Sequence, residues 1–178
     1  MINDYEATQP MTTDAHFGAG TQVSTNDTIS ILNGLIQTCK DGQDGFKDAA
    51  EGIQRSELKT VFYELSQQRA EFSGVLQELV RSLGGEPETE GTMTGALHRG
   101  WIDIKSAVTG QDEGSILNEC ERGEDSAKDA YAKALESVMP SNVRDVVSQQ
   151  SQAILVAHNR IRALRNAENS RTAAPGSY

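Results

Sequence analysis

The sequence predicts an all-α fold, an antiparallel four-helix bundle with a long crossover between its second and third helices. Three observations predict it. Apolar residues recur at alternating three- and four-residue steps in four long stretches, the spacing of one face of a helix. Short turns join the first stretch to the second and the third to the fourth, which makes each pair antiparallel neighbours. The middle connection, residues 84–112, is long enough to run back along the bundle.

The first helix is expected from Thr28 to Gln54, capped by Asn26 or Asp27. Its inner face reads Leu32, Leu35, Cys39, Gly42, Phe46, Ala49 and Ile53. The second runs from Glu57 to Leu83, with Ser56 as its cap and Gly84-Gly85 as its stop. Leu58, Val61, Phe62, Leu65, Phe72, Leu76, Leu79 and Leu83 line it. The crossover opens as a loop and then carries a short amphipathic helix, with Leu97, Trp101, Ile104 and Val108 on one side and Gly110 as its stop. A bundle helix of ~25 residues is ~37 Å long, a distance this segment can span, so the second and third helices run parallel.

The third helix is expected from Glu113 to Met139, with Leu117, Cys120, Ala127, Tyr131, Leu135 and Val138 inside. Pro140 ends it and Ser141 caps the fourth, Asn142 to Ala167, whose inner residues are Val143, Val147, Ile154, Ala157, Ile161 and Leu164. Residues 1–26 are rich in Thr, Gly, Gln, Asp and Asn and read as a disordered arm; 27–167 form the bundle, and 168–178 read as a disordered tail.

Composition narrows the function classes. The formal net charge of −10 argues against nucleic acid and against an anionic membrane surface. No apolar run approaches the ~20 residues of a membrane span. The first residues lack the basic and apolar regions of a signal peptide, so a cytoplasmic location is expected. The two cysteines make neither a disulfide framework nor a CxxC pair. Cys39 and Cys120 both fall on inner stripes and read as small buried hydrophobes too distant in height for a disulfide.

The segments ILNGLIQTCKDGQDGFKDAAE, ELKTVFYELSQQRAEF, LGGEPE, GALHRGW and ILNECERGED together resemble an uncharacterised bacterial family. Its members are four-helix-bundle proteins of unknown function in the ferritin-like superfamily, and the resemblance covers residues 28–166. It implies a ferritin-like bundle and supplies no activity. Ferritin-like relatives often hold a di-iron centre, which makes a metal site worth testing on the residues.

The di-iron motif needs an inward Glu from each of two helices and an inward Glu-x-x-His from each of the others. No Glu-x-x-His occurs in the chain. On the first helix Asp44 and Asp48 flank Phe46 by two residues, and Glu51 lies about 140° from it, so all three turn outward. The second helix has no His. Polar residues nevertheless fall on inner faces. Gln68 and Arg69 lie between Leu65 and Phe72, Glu124 between Cys120 and Ala127, Gln43 beside Gly42, and His158 near the edge of the fourth stripe.

Counting from the turns places Gln43 beside Gln68, Glu124 level with Gln68 to within a turn, and His158 half a turn from Glu124. A mid-height polar layer of Gln43, Gln68, Arg69, Glu124 and His158 is therefore expected, with Glu64 and Glu121 at its rim and Gly42 relieving crowding. Gln150 faces inward at a separate level.

The leading reading of this layer is a buried Arg69–Glu124 pair that fixes helix register. An inward Arg repels a metal cation. The alternative is a divergent iron or zinc site built from Glu64, Glu121, Glu124 and His158. His98 on the crossover reads as a surface or capping residue, and no arrangement for nucleophilic catalysis is present. The expectation is a non-catalytic ferritin-like bundle of structural or stress-related role, self-associating and without a resident cofactor.

Overall fold

A computed structural model of the chain describes residues 24–88, 101, 103–110 and 112–173. Among these residues there are five helices and no strand: α1 Thr25–Gly52, α2 Ser56–Ser82, α3 Ile104–Gly110, α4 Glu113–Glu136 and α5 Ser141–Ala173. No described helix is long and apolar enough to cross a membrane.

Local chemistry sets the ends. The α1 start lies a little earlier than the expected Asn26 or Asp27 cap. Ser24 is the N-cap and its hydroxyl accepts the Asp27 N–H at 3.3 Å, while Asp27 lies in the first turn, where the helix dipole favours an anion. Ser56 is the first residue of α2, and Arg55 occupies the cap position without a side-chain capping bond. Gly84, at φ 78°, ends α2 in the left-handed conformation, and Gly85 N–H closes back on the Val80 carbonyl at 3.0 Å. Asp112 caps α4 by accepting the Ser115 N–H at 2.9 Å.

Two expected boundaries move. The third bundle helix stops at Glu136, short of Met139, because Arg144 of α5 donates to the Leu135 and Ser137 carbonyls at 2.8 and 2.6 Å and satisfies the helix end there. Ser137 turns extended, so Met139 is buried and Val138, expected inside, is 53% exposed. The fourth bundle helix continues past 167 to Ala173, so the expected disordered tail is helical over its first six residues. Glu168 is the reason: it is buried where Arg55 of the α1–α2 turn reaches it at 3.0 Å and Arg171 at 2.8 Å. The expected N-terminal arm up to residue 23, the end of the tail from 174, Leu97 and His98 lie outside the described residues.

The inner stripe of α1 is buried as expected, from Leu32 through Ile53. The apolar core forms two clusters. One, at the α1–α2 turn end, joins Phe46, Ile53, Leu58, Phe62, Ile116, Leu117 and Ile161. The other, at the α4–α5 turn end, joins Leu32, Cys39, Leu76, Val80, Tyr131, Val143 and Ile154. The start of α2 therefore lies with the start of α4, so these helices are parallel and α1 and α4 are antiparallel, as the long crossover requires.

The crossover docks through Trp101 and α3. The indole stands edge-on to Phe46, with ring centroids 4.9 Å apart. It occupies the space where a Cβ on Gly45 of α1 or Gly123 of α4 would lie, 2.1 and 2.2 Å from ring carbons. Val108 fills the equivalent space over Gly52.

Candidate functional site

The boundary between the two apolar clusters falls at one height in every bundle helix. It lies between Cys39 and Phe46 on α1, Leu65 and Leu76 on α2, Cys120 and Ala127 on α4, and Ile154 and Ala157 on α5. Gly42, Arg69 and Glu124 occupy that level. Arg69 Nη2 donates to Glu124 Oε1 at 2.5 Å, and each side chain is 1% exposed. Arg69 Nη1 donates to Gln68 Oε1 at 2.9 Å. The guanidinium carbon lies 6.0 Å from the Phe46 ring centroid and 5.8 Å from that of Phe72, so apolar rings bracket the charge.

Gly42 gives the arginine its room. A Cβ there would stand 3.3 Å from Arg69 Cγ, in the tight range of contact. Burial raises the Glu124 carboxyl above its usual range, while the charge and hydrogen bond of Arg69 pull it back. The pair is not bidentate: Arg69 Nε and Glu124 Oε2 are buried without a hydrogen-bond partner among the described residues.

The other sequence-predicted residues divide. Gln68 joins the pair. Gln43 approaches α2 through its backbone, its carbonyl accepting from Ser66 Oγ at 2.8 Å. His158 is buried but meets Asp125 rather than Glu124, with Nε2 3.0 Å from Asp125 Oδ1. Glu121 turns to Arg165 of α5 at 3.0 Å. Glu64 is 55% exposed and pairs with Arg160 at 3.0 Å, so it does not join the expected metal set.

Sequence reasoning missed Asp125, although its i, i+4 spacing from Glu121 was an available signal. Burial works to raise the Asp125 carboxyl, but Lys128, at 2.6 Å, and His158 hold it below the usual value. A second polar chain was missed in its connections. Tyr131 O–H donates to Gln150 Oε1 at 2.7 Å and lies 3.2 Å from Cys39 Sγ, and Gln150 Nε2 donates to the Phe72 carbonyl at 3.3 Å. One group from each of α1, α2, α4 and α5 thus meets inside the α4–α5 turn end. Cys39 and Cys120 are free and buried, and burial pushes Cys39 up to about 11 and Cys120 well above its ordinary value.

The fold suggests a di-iron centre, and the mid-height residues do not fit one. Among the described residues the inward carboxylate at that level is Glu124, already held by a guanidinium, and α1 presents Gly42 there. A cation beside Arg69 would be repelled, and one carboxylate is too few ligands.

Comparison with known proteins agrees with the fold. The chain is similar to a solved two-domain protein from Anabaena variabilis that contains DJ-1/ThiJ/PfpI-like and ferritin-like domains. The TM-score is 0.68 at 14% identity, over 86% of this chain and 42% of that one. The likeness establishes a ferritin-like helical bundle, and this chain spans less than half of that protein. No curated protein matches significantly. A family match extends over residues 27–137, more than half of the sequence, and the chain therefore belongs to the family described as domain of unknown function DUF2383.

Proposed function

We propose that this protein is a non-catalytic ferritin-like bundle in which a buried ion pair has taken the place of a metal centre, and that it acts as a structural or interaction module. The observation that carries this reading is the Arg69–Glu124 contact, 2.5 Å long and closed to solvent, at the junction of the two apolar clusters. A buried charge pair at one height of the seam penalises any slip of α2 along α4, because a slipped helix leaves both charges buried and unpaired. Self-association, a cytoplasmic location and a stress-related role belong to the same reading; sedimentation velocity on the full chain tests the first.

A double-mutant cycle tests the pair. Arg69→Ala or Glu124→Ala alone should cost about 3–5 kcal/mol, because the remaining charge is stranded. Arg69→Met with Glu124→Leu should recover most of that loss. If Glu124 instead held iron or zinc in the core, metal-free protein would tolerate its replacement and a metal-dependent rise in melting temperature would vanish with it. A coupling energy below about 0.5 kcal/mol together with that loss would overturn the reading.

A further inference from the structure

A second group of ligand-type side chains lies on the α4–α5 flank, outside the polar layer. One carboxylate oxygen of Glu121, one of Asp125 and one ring nitrogen of His158 fall within 4.8 Å of one another. Glu121 and Asp125 are one turn apart on α4, and His158 reaches them from α5, so two rigid helices hold the donors. Donor atoms around a tetrahedral ion at ~2.1 Å are ~3.4 Å apart, so small side-chain rotations would close this set on one cation.

The buried imidazole is aimed at the acidic pair. His158 is 6% exposed, and both its ring nitrogens face oxygens: Nε2 faces Asp125 Oδ1 at 3.0 Å and Nδ1 faces Asn159 Oδ1 at 3.3 Å. Asn159 can turn either its amide oxygen or its amide nitrogen to the ring, so it serves either tautomer and leaves Nε2 to face the carboxylates. Glu121 Oε2 is ion-paired with Arg165 Nε at 3.0 Å. Asn159 is placed as the outer partner that would fix the imidazole with Nε2 free for a metal.

We propose that Glu121, Asp125 and His158 bind one divalent transition ion of the zinc class and pin α4 to α5. One nitrogen and two carboxylates suit Zn²⁺, with water completing the coordination. The site is distinct from the charged layer, because Glu124 is turned to Arg69 and is no ligand. Lys128, on Asp125 at 2.6 Å, is the resident competitor. Its side chain is 35% exposed and can leave for solvent when the ion enters. Arg165 is held near Oε2 of Glu121, and Oε1 remains for the metal.

The test is calorimetric titration of Zn²⁺ into the full chain, purified without a His-tag and stripped with chelator, together with Co²⁺ absorption as a spectroscopic probe. Near 1:1 binding is expected, with an intense Co²⁺ band. His158→Gln and Asp125→Asn should each weaken binding by about tenfold or more, and Lys128→Ala should tighten it by removing the competitor. Circular dichroism of each variant verifies the fold. Glu124→Gln should leave the affinity within about threefold. Absence of binding up to millimolar Zn²⁺ and Co²⁺, or binding that His158→Gln and Asp125→Asn leave unchanged in folded protein, overturns the proposal. Affinity lost through Glu124→Gln instead would place the ion in the core and overturn it too. The Arg69–Glu124 coupling energy, measured with chelator present, judges the register role separately.

Discussion

Gly45 on α1 and Gly123 on α4 grip the two edges of the Trp101 ring, each standing where a Cβ would come within 2.2 Å of it. Both glycines lie inside helices, where glycine costs about 0.5–1 kcal/mol against alanine. The indole occupies what their side chains would fill, and through it the crossover is keyed to the bundle.

The keying reverses the usual effect of alanine. Gly45→Ala and Gly123→Ala should destabilise by about 1–3 kcal/mol, because overpacking outweighs the gain in helix propensity. Gly34→Ala and Gly74→Ala, where nothing lies within 4 Å of the added carbon, should stabilise by about 0.5–1 kcal/mol. Urea unfolding of the four variants checks both signs.

Tyr131 should be costly to shorten. Tyr131→Phe removes the hydroxyl that donates to Gln150 and leaves a buried amide oxygen without a donor, at about 1–3 kcal/mol. Adding Gln150→Leu should return part of the loss, since the stranded acceptor is then gone. Thermal melts of the single and double variants measure it.

Neither thiol should react in the folded protein. The thiolate is the nucleophile, and with Cys39 at about 11 and Cys120 held well above its ordinary value by burial, little thiolate exists at pH 8. A disulfide reagent should titrate no thiol in native protein and both in strong denaturant.

The α5 extension should carry a pH signature. The Arg171 hydrogen bond, opposed by burial and helped by Arg55, holds the Glu168 carboxyl below its ordinary value. A carboxyl depressed in the folded state adds stability above its unfolded pKa and loses it as pH falls through the folded one. Glu168→Gln should therefore melt a few degrees below the parent at pH 7, with the difference shrinking as the pH falls below the ordinary carboxylate range. Removing residues 168–178 should reproduce the loss at neutral pH.

The stripes were legible because inner residues such as Leu32, Phe46, Leu76 and Ile161 repeat at helical spacing, which needs no knowledge of neighbours. Arg69 and Glu124 were legible for the same reason, as charged residues at positions that spacing reserves for the core. What meets what across helices was less so. Asp125 captures His158 because of how α4 is rotated against α5, and that rotation leaves no periodic trace. Glu168 sat in a polar stretch that reads as tail, and only the return of α5 past the α1–α2 turn brings Arg55 to it. The exchange of Val138 for Met139 turned on where α4 unwinds, which Arg144, a residue of the next helix, decides. The keyhole at Gly45 and Gly123 depended on an indole distant in sequence from one of them.

The charged layer also bears on how the molecule breathes. Apolar contact is interrupted at mid-height, so the clusters on either side are separate cooperative units joined by the backbone and the Arg69–Glu124 pair. Amide exchange should then fall into two groups along the same helices, with the change near Gly42, Arg69 and Glu124 rather than at a helix end. The slower group belongs to the turn end that Trp101 and the Arg55–Glu168 pair fasten from outside. A ladder of protection with its step in mid-helix would be the dynamic imprint of a charge pair set between two apolar clusters.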